Sequence, residues 1–346
     1  MKQVFRISVL MLLPVIGLLP GERAYAGRGD KAGTSAASEL LIPVAGRDLA
    51  MGGASLATTT GTDAIYWNPA GLARSSFGSE ALFSHMSYIA DIGVEYAAVA
   101  TSFEGFGTIG FSLKSISMGD FEVTTETNPD GTGELFSPTY VTVGFTYSRL
   151  LTDRISVGVT TNLISERIDR VSATGVGFNV GLQYFSFADV GGLNIGVAVK
   201  NIGPAMKFDG SGLLRQGTTS GANRPETPVK LEASSDELPS SIEIGMGYIY
   251  RPEASHTLTL TGLFQNNNFS DDEYKLGLEY GFDNTLFLRG GYNLSQETIA
   301  DTYIFGFTAG AGLHYAFSGL DFTADYAFRD VDFFDANHVF SIRLGF

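Results

Sequence analysis

A serine and a histidine that could do nucleophilic chemistry stand side by side at Ser84-His85. A hydrolase serine needs a base within hydrogen-bond reach, so an outer-membrane lipid hydrolase would use such residues together. Both residues belong to an alternating, strand-like segment, however, and adjacent side chains of a strand point to opposite faces. The two side chains therefore do not pair with each other, and we expect the protein not to be an enzyme.

Residues with metal-binding side chains are scattered along the chain. The absence of cysteine excludes thiol chemistry and cysteine-based metal sites. The histidines have no metal-ligand spacing and lie in different segments, at His85, His256, His314 and His338. Two acidic clusters are present, Asp271, Asp272 and Glu273 and, separately, Asp330, Asp332 and Asp335. They could hold calcium or bridge lipopolysaccharide through divalent ions, but solvated loops explain them more simply, and we expect no cofactor.

The charge of the chain argues against nucleic acid as a partner. The whole chain carries a formal net charge of −15, although only 17% of its residues are charged. Residues 1–26 hold Lys2, Arg6, Arg23 and Glu22, a net +2, which leaves −17 for the remainder. A chain this acidic repels a phosphate backbone. Glycine is abundant at 43 residues and aromatic residues make up 12%, which suits an exported β protein.

The first 26 residues have the parts of a secretory signal peptide. Lys2 and Arg6 form a basic start, residues 9–19 are apolar, and Ala24-Tyr25-Ala26 fits a signal peptidase site. We therefore predict a signal peptide over residues 1–26 and an exported mature chain. An N-terminal anchor is the alternative, but the apolar run is too short for a membrane-spanning helix.

From residue 80 to the C-terminus, about fourteen segments alternate between apolar and polar residues, as strands with two different faces do. In the last segment Phe340, Ile342, Leu344 and Phe346 share one face, and Phe346 is expected to act as the signal for barrel assembly. The apolar rows at residues 274–282 and 303–317 begin and end with rings, as interfacial girdles do. The opposite faces carry charges that we expect to pair inside a lumen: Lys114, Lys200, Glu243, Lys275, Glu279, Arg289, Asp321 and Asp325.

The connections between these segments alternate in length. The even-numbered connections are all short, whereas the odd-numbered ones are mostly longer, including residues 118–137, 166–174 and 203–239; the first, around Asp91, is the exception. Up-and-down membrane barrels have short periplasmic turns and longer outer loops. We predict an all-β fold, a transmembrane antiparallel up-and-down β-barrel of about 14 strands in the bacterial outer membrane, with both termini periplasmic. A secreted sandwich or soluble barrel is the alternative.

Side chains fill the lumen of an eight-stranded barrel, whereas a barrel of about sixteen strands encloses a water channel. A barrel of about fourteen strands lies between these sizes, so we expect a plug in its lumen. We predict that residues 27–79 form an N-terminal hatch inside the lumen of a barrel over residues 80–346. Its small residues suit tight packing, Asp63 could cap a helical turn through Trp67, and Asn68 before Pro69 forces a turn. A flexible linker is the alternative, but a tryptophan and an Asn-Pro-Ala turn are unusual in linkers.

Two motifs, residues 47–54 and 63–72, resemble the N-terminal region of the PorV/PorQ family, a branch of the FadL-type outer-membrane barrels. The resemblance covers roughly thirty residues closely and the rest only as strand number and order. It implies a hatch that plugs a fourteen-stranded barrel, with Asn68, Pro69 and Ala70 as its turn and residues 47–54 as the arm leading to it. The hatch residues so implied are Arg47, Met51, Gly52, Gly53, Asp63, Trp67, Asn68, Pro69 and Ala70.

The resemblance leaves two functions open. PorV-type members serve the type IX secretion system and receive exported cargo proteins, whereas FadL-type members take up long-chain fatty acids and other hydrophobic small molecules. A transporter should have an apolar pocket between hatch and wall. Phe333 and Phe334 form an exposed apolar pair that could contact a partner or an incoming ligand. The expected partners are outer-membrane lipid, the barrel-assembly machinery, and secreted proteins or secretion components or a hydrophobic small molecule.

Overall fold

In a computed structural model, residues 33–217, 227–295 and 303–346 are described. The predicted signal peptide lies outside the described residues. Within them, fourteen antiparallel strands form the wall of a barrel, and we number them in chain order. They are β1 Ser79–Ser87, β2 Gly93–Phe103, β3 Gly107–Ser117, β4 Thr139–Leu150, β5 Ile155–Ile168, β6 Val171–Phe185, β7 Leu193–Ile202, β8 Ser241–Glu253, β9 His256–Asn267, β10 Glu273–Phe282, β11 Leu286–Ser295, β12 Phe305–Phe317, β13 Leu320–Val331 and β14 Asn337–Gly345.

Each strand pairs with its neighbours in sequence, and the sheet closes on itself. Closure is made between β1 and β14, where Glu80 lies opposite Gly345 and Ser84 opposite Ser341. Closure leaves no sheet edge with unpaired backbone groups, which a membrane-embedded sheet requires. The predicted up-and-down barrel of fourteen strands is therefore confirmed.

The two faces of the wall differ as the alternation predicts. On β3, Phe111 and Leu113 point outward and remain about half exposed, whereas Lys114, which directly follows Leu113, points inward and is only 5% exposed. Lys200 and Arg289 likewise face the lumen. A secreted sandwich would bury its apolar faces against each other. Here the apolar face is the outer surface, which is the arrangement of a barrel in lipid.

The connections follow the predicted parity with one correction. The fifth connection is not a loop over residues 166–174, because β5 continues to Ile168 and β6 begins at Val171. The extended hairpin is stabilised from the lumen side, where Ile164 and Ala173 pack against Met206 and Leu238 of the seventh connection. The alternation of this hairpin is visible in the sequence, but the residues that pack on its lumen side belong to a segment more than thirty positions away.

Short strands give the long connections structure of their own. In the third connection, Phe121–Glu122 pairs with Leu135–Phe136. In the seventh, Met206–Lys207 pairs with Ser235–Asp236, Leu214–Gly217 pairs with Thr227–Lys230, and Asp209–Gly210 adds to β6. These hairpins all lie at the same end of the barrel, and we call that end the loop mouth.

The predicted aromatic row of β12 is wrong at its first position. Tyr303 precedes the strand and lines a cavity in the lumen rather than the lipid-facing surface. The pairing of β12 with β13 shifts between Phe305 and Thr308, so one extra residue bulges there and turns the preceding rings inward. Further along, Tyr315 and Phe317 do point outward, at 60% and 66% exposure.

Within the described residues, helical structure is limited to short turns. Before β1 these are 3₁₀-turns at Ser38–Leu41, Gly61–Asp63 and Pro69–Arg74 and short α-helices at Gly46–Ala50 and Ala64–Trp67. Further 3₁₀-turns lie in connections, at Ile89–Asp91, Phe187–Asp189 and Ser211–Leu213. In the described part of the chain, no helix has the length and apolar character needed to cross a membrane.

Candidate functional site

The segment before β1 runs through the lumen from one end to the other. It is held at the loop mouth, where the Ala36 amide donates to the Glu237 carbonyl at 3.0 Å. It leaves at the opposite end, where the Gly78 amide donates to the Phe346 carbonyl at 3.0 Å. Nearly all residues between 37 and 72 are buried, including many alanines with no exposed surface. We call residues 37–74 the hatch; their burial is incompatible with the flexible-linker alternative.

The turn at Asn68-Pro69-Ala70 fixes the hatch against the wall. Asn68 is extended, as a residue before proline must be, and its Oδ1 accepts from the Ala70 amide at 3.2 Å. Its Nδ2 donates to the carbonyl of Leu56 in the hatch at 2.9 Å and to that of Leu182 in β6 at 3.2 Å. All hydrogen-bonding atoms of this fully buried amide are thus used, which links two hatch segments to the wall.

Trp67 anchors the middle of the hatch. Its Nε1 donates to the Val44 carbonyl at 3.1 Å, and its ring meets Tyr66 edge to face. The ring packs directly on the arm, because a Cβ placed on Gly53 would lie 2.8 Å from Trp67 Cζ3. Gly53 has φ +72°, a conformation that favours glycine, and Gly52 and the fully buried Met51 precede it. The motif residues therefore meet in space although Gly53 and Trp67 are 14 positions apart in the sequence.

Asp63 does not cap the helical turn at Ala64–Trp67, so that prediction is wrong. Its side chain makes no hydrogen bond to the turn and instead forms an ion pair with Arg343 of β14. A carboxylate that is 3% exposed gains more from a cationic partner than from a backbone amide. The pair ties the hatch to the last strand of the barrel.

A chain of alternating charges joins the hatch to the opposite wall. Arg47 contacts Asp48 at 3.3 Å and donates through Nη2 to Glu279 of β10 at 3.1 Å. Glu279 also accepts from Arg289 Nε at 2.7 Å, and Arg289 Nη1 donates to Asp325 at 2.6 Å. These charges pair within the lumen as the alternation predicts, because an unpaired charge away from water is costly. Glu279 is the centre of this network, since it holds two arginines. Lys114 differs from the prediction, because its Nζ binds backbone carbonyls of Glu39 and Ile42 and forms no ion pair among the described residues.

A cavity of about 330 Å³ lies between the hatch and the wall toward the loop mouth. Tyr66 and Trp67 form part of its floor, and Phe269 and Tyr303 belong to the connections at its rim. Its basic side chains are Lys114, Lys200, Lys275 and Arg329, and its acidic ones are Glu243 and Glu273. Lys200 pairs with Glu243 and Lys275 with Glu273, each at 3.0 Å. The lining is therefore mixed, with apolar rings beside ionic groups.

The other side chains with chemical potential are dispersed. Ser84 points inward and accepts from the Ala45 amide at 3.3 Å, whereas His85 points outward to Glu95. His256 and His338 bond to Tyr280 and Tyr326, and His314 to Thr323. Asp330, Asp332 and Asp335 are exposed, whereas Asp272 is bound by Asn266 at 2.7 Å. In residues 33–217, 227–295 and 303–346, no group of three potential metal ligands converges.

Phe333 and Phe334 lie in the last connection, at the loop mouth. Phe333 is 84% exposed and has φ +68°, a strained backbone for a bulky residue, and Phe334 is 48% exposed. Two large rings held in water at the rim of the barrel form an apolar contact surface.

Two contributors to the lumen were not identifiable as such from sequence. Arg329 is not among the inward-facing charges predicted from the sequence, but β13 continues to Val331 and directs Arg329 inward. The sequence does carry one indication of this, because Arg329 has the same strand parity as Asp325 and Ala327. Arg343 was visible on the polar face of β14, but its partner Asp63 is 280 positions away and nothing in the spacing connects them.

Comparisons with known proteins agree with this architecture. The family model described as type IX secretion system protein PorV matches residues 26–220. None of the curated proteins compared with the sequence matches it. Among solved structures, the toluene transporters TbuX of Ralstonia pickettii and TodX of Pseudomonas putida are similar, with TM-scores of 0.57 and 0.54 at 13% and 14% identity. Each comparison covers 86% of this chain and 97% of the transporter. A FadL homologue of Pseudomonas aeruginosa has a TM-score of 0.50 at 12% identity, over 88% of this chain and 98% of the homologue. At such identities the likeness concerns the fold.

Proposed function

Because the chain belongs to the family of the type IX secretion system protein PorV, we propose that it is a non-enzymatic partner of that system, which binds exported proteins at the loop mouth. It is a bacterial outer-membrane β-barrel protein by family and fold. We place the long connections outside the cell and the short ones in the periplasm, since bacterial barrels have short periplasmic turns.

The hatch is the observation that carries this proposal. A lumen occupied over its length by residues 37–74, and tied to the wall by Asn68, Asp63 and Glu279, is not a conduit for polypeptides. The surface left for a protein partner is the loop mouth, where hairpins of the third and seventh connections and the Phe333-Phe334 pair project. Such a barrel acts as a membrane-anchored binding surface.

Uptake of fatty acids or hydrocarbons is not favoured by the cavity. An apolar ligand would need an apolar pocket between hatch and wall. The cavity instead carries two ion pairs and two further basic side chains. Each charged group would lose solvation to a hydrocarbon without compensation.

The proposal predicts that loss of the gene leaves cargo proteins in the periplasm and that the purified barrel carries cargo with it. Replacing Phe333 and Phe334 together by serine should lower the recovered cargo by about tenfold, as expected for aromatic anchors at an interface. The measurement is quantitative pull-down of the affinity-tagged barrel from cells that secrete cargo.

The matched control is Leu151→Ser, which removes a side chain of 60% exposure at the opposite end of the barrel. Cargo recovery should remain at the wild-type level in this variant. Equal recovery with all three proteins, or normal secretion without the gene, would refute the proposed role.

A further inference from the structure

We propose that the lumen cavity is a binding site for a small polar dianion, a molecule whose carboxylate or phosphate groups contact Arg329 and Lys114. The inference concerns a ligand site in the hatch–wall cavity and is independent of the partner bound at the loop mouth. It rests on the unused donors of a buried arginine, on a second unpaired cation and on the net charge of the lining.

Arg329 lines the cavity with hydrogen-bond donors that are not used. It is 5% exposed, and its Nε and Nη2 have no hydrogen-bond partner in the described part of the chain. Its Cζ lies over the Phe305 ring, 3.9 Å from the ring centroid, and 5.7 Å from the centroid of the Tyr88 ring. The rings hold the group in place but leave its edge donors free. Two donors of a fixed guanidinium match the two oxygens of a carboxylate or phosphate.

Lys114 supplies a second basic side chain, which no carboxylate contacts directly although the Glu39 carboxylate lies near it. Its Nζ donates to two backbone carbonyls of the hatch, those of Glu39 at 2.7 Å and Ile42, and lies 5.1 Å from the Tyr66 ring centroid. These contacts position the ammonium group, and the Glu39 carboxylate offsets only part of its charge because it does not contact Nζ. Among the described residues, no carboxylate forms an ion pair with it.

The lining therefore has an excess of two positive charges. Four basic side chains face the cavity against two carboxylates, and both carboxylates are already paired, with Lys200 and Lys275. This excess lies inside a chain whose formal net charge is −15. A ligand with two negative charges would balance Lys114 and Arg329, and 330 Å³ is space for a small molecule. The Thr142 hydroxyl, buried without a partner, offers one further hydrogen-bond donor in the same lining.

The test is calorimetric titration of the full-length barrel in detergent with inorganic phosphate and, separately, with succinate. Wild-type protein should bind one or both, with affinity that falls as salt rises. Arg329→Gln should weaken binding by about tenfold or more, and Arg329→Lys, which keeps the charge but not the fork, should lie between. Arg154→Gln is the control, since Arg154 pairs with Asp189 outside the lumen.

Folding of each variant is checked by its heat-modifiable mobility in gels, so that loss of binding is read only in folded barrels, and the Lys variant serves if the Gln variant does not fold. If neither phosphate nor succinate binds to the wild-type protein at millimolar concentration, the inference is overturned. Equal affinity of wild type, Arg329→Gln and Arg329→Lys overturns it as well. Tighter binding of octanoate than of succinate would also contradict it, since the site would then select an apolar tail.

Discussion

Deleting residues 45–72 should leave a barrel that assembles but admits antibiotics too large for ordinary porins. The wall is held by backbone pairing between neighbouring strands, including the β1–β14 closure, and none of residues 45–72 takes part in this pairing. The lumen that they occupy would fill with water, as in barrels of about sixteen strands. The minimal inhibitory concentration of such antibiotics should therefore fall on the order of tenfold.

The control is deletion of residues 124–133 from the third connection, which are largely exposed and lie outside the lumen. Cells with this shortened loop should keep wild-type sensitivity. If the hatch deletion reaches the membrane in a folded form and sensitivity does not change, residues 45–72 are not what closes the barrel.

Replacing Glu279 by alanine should destabilise the folded protein by about 2–3 kcal/mol, because Arg47 and Arg289 lose their shared carboxylate and keep only Asp48 and Asp325, respectively. The free energy of unfolding is measured by guanidinium titration in lipid vesicles. The double variant Arg47→Met with Glu279→Met should be less destabilised than the sum of its single variants, since the two groups interact directly.

The control is Glu95→Ala, which removes another paired strand glutamate, one whose partner His85 and own side chain are each about half exposed. Its loss should cost at most about 1 kcal/mol, as for surface ion pairs. Equal effects of the Glu279 and Glu95 substitutions would show that Glu279 is not at the centre of a buried network.

Strand number and the two faces of each strand could be predicted from sequence because they follow from local alternation. Lys200 and Arg289 face the lumen for the same reason that Phe111 and Leu113 face outward, and each is decided by parity within one strand. The predicted family is likewise confirmed, because the motif that carries the resemblance lies in the matched residues. The turn at Asn68-Pro69 was also predictable, since proline restricts the residue before it.

What could not be predicted depends on contacts between distant segments. Asp63 has the position of a helix cap, but Arg343 at the far end of the chain gives it a stronger partner. The rings before β12 turn inward because of a bulge in its pairing with β13, and a bulge has no signature in alternation alone. The cavity and the unused donors of Arg329 arise only when the hatch packs against the wall, because the lining residues come from the hatch and from β2 to β13.

The same contacts hold the hatch inside the barrel, which is what the proposed role as a binding surface requires. Arg47, Asp63 and Asn68 each connect the hatch to a different part of the wall, at β10, β14 and β6. Anchored on several sides, the hatch supports the lumen from within. The hairpins of the third and seventh connections and the Phe333-Phe334 pair lie at the loop mouth, above this anchored hatch.

The most direct test of the lumen-filling hatch is fluorescence quenching of Trp67, the only tryptophan in the chain. At 7% exposure and with its Nε1 bonded to Val44, its emission should be quenched neither by brominated phospholipids nor by iodide in water. A tryptophan placed at outward-facing position 111, as Phe111→Trp with Trp67→Phe, should be quenched by brominated lipid. Strong quenching of Trp67 by brominated lipid, or by iodide as for free indole, would contradict a hatch enclosed in the lumen.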